Sequence, residues 1–169
     1  TKHGLAELNN RNRVGLKALM DVAGLGSKDI SSGHIGFALG PRINAMGRVG
    51  SPQTAIDLLL SANQEESVKL AKIMDSENRN RQKIEAKITE EALSKVEREV
   101  NFKDHRIIVL AGENWHPGVI GIVASRIADR YYRPAIMISL DGKLGKGSGR
   151  SIESFHLFEY LLRCKDYLA

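Results

Sequence analysis

Three stretches of the sequence hold residue types that could grip an oxyanion. In GKLGKGSGRS, residues 142–151, glycines at 142, 145, 147 and 149 are interleaved with Lys143, Lys146, Ser148, Arg150 and Ser151. Glycines such as Gly147 and Gly149 let backbone N–H groups approach an oxyanion with no Cβ in the way. Serine hydroxyls donate, and Arg150 can hold a phosphate in bidentate fashion. The segment is a phosphate cradle or a flexible turn. It is not a Walker A loop, because neither Lys143 nor Lys146 stands where GxxxxGK[ST] requires it. In HPGVIG, residues 116–121, His116, Pro117 and Gly118 open a helix whose free N–H groups and positive dipole end favour an anion. His116 at the N-cap adds a side-chain donor, unless Trp115 and Pro117 merely shape the loop. In GPRINAMGR, residues 40–48, Arg42 and Arg48 flank Asn44 in a glycine-bounded, otherwise apolar setting. Arginines held by such packing are preorganised for phosphate oxygens, or they form structural ion pairs.

What these stretches lack also bounds the chemistry. Two-metal hydrolysis needs aspartates and histidines converging on cations about 3.5–4 Å apart. The five histidines, His3, His34, His105, His116 and His156, are scattered, with no HxH, DxD or DHH triplet. A GxSxG nucleophile elbow is absent as well. No catalytic residue and no metal ligand can be named, so the sequence reads as a binding surface without a self-sufficient catalytic centre.

The elements that must position these residues follow from hydrophobic spacing. VGLKALMDVAGL predicts a helix ending at Gly24. Gly33, Gly36, Gly40, Gly47 and Gly50 then punctuate a stretch in which Ile35, Phe37, Leu39, Ile43 and Met46 are apolar enough for burial, which predicts a packed, irregular segment. Ser51-Pro52 starts a further helix, and Asn63 followed by Glu66 caps the next. From there to Val100 there is no proline or glycine, so one helix of about 35 residues is expected, roughly 50 Å long at 1.5 Å per residue. Its ends are apolar on one face. Its middle, DSENRNRQK, is polar, and Glu77 to Lys87 reads as a solvated face, as in a strut between two domains.

After Val100 the pattern changes to α/β. The run Ile107 to Leu110 predicts a strand covered on both faces, residues 116–132 a helix, and PAIMISL a second strand, together a βαβ unit. Asp141-Gly142 turns into an edge hairpin strand, and ESFHLFEYLLRC closes with an amphipathic helix. Cys164, the single cysteine, forms no internal disulfide and reads as a half-buried core residue.

Composition sets the class. The chain has 169 residues, 42% hydrophobic and 27% charged, with net charge +5, which suits a globular protein and mildly favours an anionic partner. No apolar run approaches the roughly 20 residues needed to span a bilayer, and TKHGLAELNN lacks a signal-peptide core, so a soluble, cytoplasmic protein is expected.

In order, GPRINAMGRVG, a long helix, WHPGVIGIVASRIADRYYRPAIMIS and GKGSGRSI resemble the RecJ family of single-stranded-DNA-specific exonucleases in the DHH phosphoesterase superfamily. The resemblance runs from about Arg13 to Cys164. It implies an internal segment of such an enzyme, with the DHH signature and metal-binding carboxylates upstream and the rest of the DHH-associated domain downstream. On that footing residues 1–62 end the catalytic DHH domain, 63–100 form the connecting helix, and 101–169 are the first half of the DHH-associated, substrate-binding domain. The implied fold is α/β, and the implied activity is metal-dependent 5′ to 3′ hydrolysis of single-stranded DNA in recombination and repair. Two Mn²⁺ or Mg²⁺ ions serve that activity, with ligands outside this chain. By motif, Ser148 and Arg150, with Gly147 and Gly149, would form the pocket for the 5′ phosphate. Arg42, Asn44 and Arg48 would line the strand's path, and His116 would contribute in a cleft between domains. Single-stranded DNA is the implied partner, and other repair or replication proteins fit the same setting. Two other readings of the same descent are a phosphodiesterase for short oligonucleotides or cyclic dinucleotides, and a non-catalytic nucleic-acid-binding scaffold.

Overall fold

The structure, a computed structural model, describes residues 2–168 and divides into two units between Gln82 and Lys83. The first unit is helical: α1 (Lys2–Asn10), α2 (Val14–Val22), α3 (Ser32–His34), a π-helical turn (Ile35–Leu39), α4 (Gly40–Met46), α5 (Pro52–Leu60) and the start of α6 (Gln64–Glu99). α2 ends where the helix prediction put it, since Gly24 takes the left-handed conformation (φ 72°) that glycine adopts without strain. α2 approaches α5 so closely that a Cβ on Gly15 would lie 1.8 Å from the Leu58 carbonyl oxygen. Glycine is required there. Ala18, Leu19, Met20, Leu39, Met46, Leu58, Ala71 and Met74 form the core that results.

Residues 32–46 are helical throughout, contrary to the irregular segment expected from their glycines. Ser31 caps the start: its Oγ accepts from the His34 N–H, and the His34 ring accepts from the Ser31 N–H. The π turn has a local cause in Gly40-Pro41. A proline has no N–H for the i−4 bond, and its ring crowds that carbonyl. The ladder instead closes from the Gly40 N–H to the Ile35 carbonyl, five residues back, where a Cβ on residue 40 would stand 2.9 Å from the oxygen. Here glycine permits the helix rather than breaking it. Leu39 and Met46 are buried as expected, Ile35 and Ile43 only partly, and Phe37 is 90% exposed, so its expected burial is corrected.

α6 begins on its cap, the Glu66 N–H donating to Asn63 Oδ1 at 3.0 Å. Glu66 itself accepts from Ser61 Oγ rather than closing a reciprocal box. The polar middle of α6 is not uniformly wet: Asp75, Asn78 and Glu85 are buried, which corrects the expected solvated face at those positions. Asp75 receives Arg42 and Arg79, and Glu85 pairs with Arg126. A carboxylate can be buried when it is ion-paired and hydrogen-bonded in this way.

The second unit contains the remainder of α6, β1 (Ile108–Glu113), α7 (Ile120–Tyr131), β2 (Ala135–Asp141), β3 (Leu144–Arg150) and α8 (Leu157–Arg163), followed by a 3₁₀ turn (Lys165–Tyr167). The sheet order is β1-β2-β3. β1 runs parallel to β2, with Ile108 beside Ala135, and β2 runs antiparallel to β3, with Ala135 beside Arg150. The β1–α7–β2 crossover and the edge hairpin match the expected units. The hairpin turns at Gly142 (φ 57°). β1 is buried on one face only: Ile108 and Leu110 are buried, while Val109 is 54% exposed. Its apolar run therefore does not mark a strand covered on both faces. Ile120, Val123, Ala124, Ile127 and Ala128 of α7 supply the buried helix face over Ala135 and Met137 of β2. Cys164 is exposed, not half-buried. Among the described residues no helix is long and apolar enough to cross a membrane.

Candidate phosphate-binding site

The alternation of β3 sorts GKGSGR into two faces. Gly145, Gly147 and Gly149 face the side chains of Ile136, Ile138 and Leu140 on β2, and a Cβ on Gly149 would stand 2.8 Å from Leu157 Cδ2 of α8. Added bulk is crowded at Gly145 and Gly149, while a Cβ at Gly147 would make ordinary contacts. Lys146, Ser148 and Arg150 occupy the other face. Ser148 and Arg150 lie over Gly121 in the first turn of α7, where a Cβ would stand 2.8 Å from Ser148 Oγ and 3.2 Å from Arg150 Nη2. The sheet thus brings the two predicted residues together above a glycine floor.

Arg150 is held from below by neutral oxygens. Its Nε donates to Ser125 Oγ at 3.0 Å and its Nη1 to the Gly149 carbonyl at 2.7 Å. Ser125 in turn donates to the Gly121 carbonyl one helical turn back. No carboxylate pairs with Arg150 among the described residues, and Ser148 Oγ has no partner there. A fixed guanidinium with unmatched charge, a free hydroxyl and the positive end of a helix form an arrangement suited to a dianionic oxyanion. Gly121 and Ser125 escaped the sequence reading. Their signal was a pair of small residues four apart, on one face of a helix otherwise rich in isoleucine and valine.

His116 is placed by different interactions. Trp115 is buried against Gly112, where a Cβ would collide with the indole, and its Nε1–H donates to Glu91 of α6 at 2.7 Å. The next residue is thereby fixed. The Val119 and Ile120 N–H groups donate to the His116 carbonyl, and the Gly118 N–H donates to Nδ1 at 3.1 Å. His116 thus shapes the turn before α7, whose N-cap is Val119, so the expected N-cap at His116 is corrected, and it shares a pocket with Lys146 rather than with Ser148 and Arg150.

GPRINAMGR lies in the first unit. Arg42 is engaged internally: Nε and Nη2 both reach Asp75 Oδ1, at 3.0 and 2.9 Å, and Nη1 donates to the Ala38 carbonyl at 2.7 Å. Its side chain is 16% exposed. This is the structural ion pair that the sequence left open. Asn44 and Arg48 are exposed. Among the described residues no group of three histidine, cysteine, aspartate or glutamate side chains could hold a metal ion.

Known proteins resemble the chain over most of its length. Residues 104–166 match the DHHA1 domain. The chain is 44% identical over 167 residues to the single-stranded-DNA-specific exonuclease RecJ of Bacillus subtilis, covering 98% of this chain and 21% of the relative. It is 40% identical over 155 residues to the RecJ of Escherichia coli, covering 89% and 27%. A crystal structure of RecJ in complex with Mg²⁺ from Thermus thermophilus superimposes with a TM-score of 0.82 at 32% identity, covering 98% of this chain and 25% of that one. A structure of exonuclease RecJ bound to manganese gives 0.80, covering 95% and 39%. The chain thus spans about a quarter of the length of the curated relatives it matches. It is a homologue of one region of the RecJ exonucleases, helical in its first part and carrying a DHHA1 domain in its second.

Proposed function

We propose that this chain is the strand-holding part of a metal-dependent 5′ to 3′ exonuclease on single-stranded DNA, and that Ser148 and Arg150 seat the strand's 5′ phosphate over Gly121. The observation that carries the reading is the state of Arg150, fixed by Ser125 and the Gly149 carbonyl with no carboxylate among the described residues to neutralise it. Arg42 and Arg126, in contrast, each meet a buried carboxylate. In this reading the chain's residues bind and orient. The Ser148 hydroxyl donates to one phosphate oxygen, Arg150 Nη2 to another, and the first turn of α7 stabilises the charge. Metal ions such as those named for the related RecJ structures would supply hydrolysis of the phosphodiester from ligands outside the described residues. Asn44 and Arg48 contact the strand from the first unit, while Arg42 acts by fixing the fold beneath them.

The test is the rate at which the full-length protein degrades strands with either 5′ end. Arg150→Ala is expected to slow degradation of a 5′-phosphorylated strand about tenfold or more while changing a 5′-hydroxyl strand little, as loss of a charged hydrogen bond implies. Equal effects on the two strands would remove the assignment.

A further inference from the structure

The pocket shared by His116 and Lys146 has no role in that reading. It lies at the carboxyl ends of the parallel strands β1 and β2, where α/β sheets present their ligand sites, and holds about 560 Å³ of space. Its floor is fixed: Ser139 Oγ donates to the Trp115 carbonyl, and the Gly118 N–H holds the His116 ring through Nδ1. Its walls are of two kinds. Pro117 and Leu144 are apolar, and Leu144 is 69% exposed. Asn114, Asp141 and Lys146 bring an amide, a carboxylate and an ammonium, and none of these three side chains has a hydrogen bond or ion pair among the described residues.

That mixture selects among ligands. A second anion would meet the Asp141 carboxylate on the rim, whereas a neutral heterocycle finds a donor in Lys146, an acceptor in Asp141 and both in Asn114, with apolar contact from Pro117 and Leu144. Position supplies the rest. Lys146 and Ser148 are two residues apart on one face of β3, about 6.6 Å along the strand. A base is joined to its 5′ phosphate through the deoxyribose, a span of that order, so one nucleotide reaches both places. The pocket takes no internucleotide phosphate, and the bond to be hydrolysed is left to metal ions held outside the described residues.

We propose that this pocket holds the nucleobase of the terminal nucleotide whose 5′ phosphate sits on Ser148 and Arg150, with Asn114, Asp141 and Lys146 meeting the base edge and Pro117 and Leu144 its faces. The inference rests on the reading of Ser148 and Arg150 as the 5′-phosphate site, and extends it from a seat for a phosphate to a seat for a whole nucleotide. Donors and acceptors are both present, so the pocket accepts a base without demanding one pattern of hydrogen bonds. An exonuclease that removes each nucleotide in turn requires that tolerance.

The test compares two probes on this chain, thymidine 5′-phosphate and the 5′-phosphate of a base-free tetrahydrofuran analogue of deoxyribose, and reads the ratio of their dissociation constants by calorimetry. That ratio is insensitive to a general loss of folded protein. The base is expected to tighten binding about tenfold, the scale of covering one face of a small ring. Asn114 has a left-handed backbone (φ 61°) that glycine also adopts, so Asn114→Gly removes the side chain without strain. Combined with Leu144→Ala, it should bring the ratio close to unity while the base-free phosphate binds as before. Arg150→Ala should weaken both probes. A ratio near unity in the unmodified chain, or a gain that survives the double variant, with both probes still dependent on Arg150, overturns this inference and leaves the 5′-phosphate site standing. Failure of both probes to bind, or binding indifferent to Arg150→Ala, overturns both.

Discussion

Arg42, Arg126 and Arg150 each reach another element of their own unit, and what they meet differs. Asp75 receives Arg42 and is itself 7% exposed, so removing it leaves a guanidinium 16% exposed without its counter-charge. Asp75→Ala is expected to lower stability by about 2 kcal/mol, below the range for fully buried pairs because Arg42 keeps some access to water. Urea denaturation measures this, and a loss near zero would mean that the pair is as weak as a surface one. Gly121 belongs to the same scale. An alanine there gains helix propensity, up to about 1 kcal/mol, while its Cβ intrudes on Ser148 and Arg150. Gly121→Ala should therefore melt within a few degrees of the unmodified chain yet bind thymidine 5′-phosphate about tenfold more weakly. Unchanged affinity would show that Gly121 is not the floor of the site.

At the scale of elements, glycine decides how closely things pack, and this is where the sequence was hardest to read. Gly15→Ala would place a Cβ 1.8 Å from the Leu58 carbonyl oxygen, so α2 and α5 must separate. A loss of about 2 kcal/mol or more is expected by thermal melting, as for other overpacked sites, and a neutral result would contradict the close approach. The βαβ unit, the hairpin and the long helix were legible, because hydrophobic period and turn residues are local signals. The helix over residues 32–46 was not. Its glycines look like breakers until the π turn at Gly40-Pro41 shows what they accommodate. Phe37 lies in the same turn and is exposed, although its apolar character promised burial. Of the site, Ser148 and Arg150 could be found from composition and motif. Gly121 and Ser125 left only the faint signal of two small residues four apart, since their place in the candidate site arises only when β3 lies across α7. The buried Asp75 and Glu85 were hidden because burial of a carboxylate depends on an arginine distant in sequence.

At the scale of the whole molecule, the two units divide the reading between them. The first holds GPRINAMGR on a glycine-tuned helical core, and the second holds a cationic strand face over the start of a helix. Net charge of +5 favours approach of an anionic strand to either. The chain spans about a quarter of the length of its curated relatives. The central claim is that the chain's surface contains a 5′-phosphate seat. Titrating the chain with thymidine 5′-phosphate while following backbone amide resonances tests it most directly. The account predicts saturable shifts concentrated at Gly121, Ser148, Gly149 and Arg150, absent in Arg150→Ala and absent with thymidine itself. Shifts spread over exposed lysines of both units, or equal shifts with the unphosphorylated nucleoside, would contradict it.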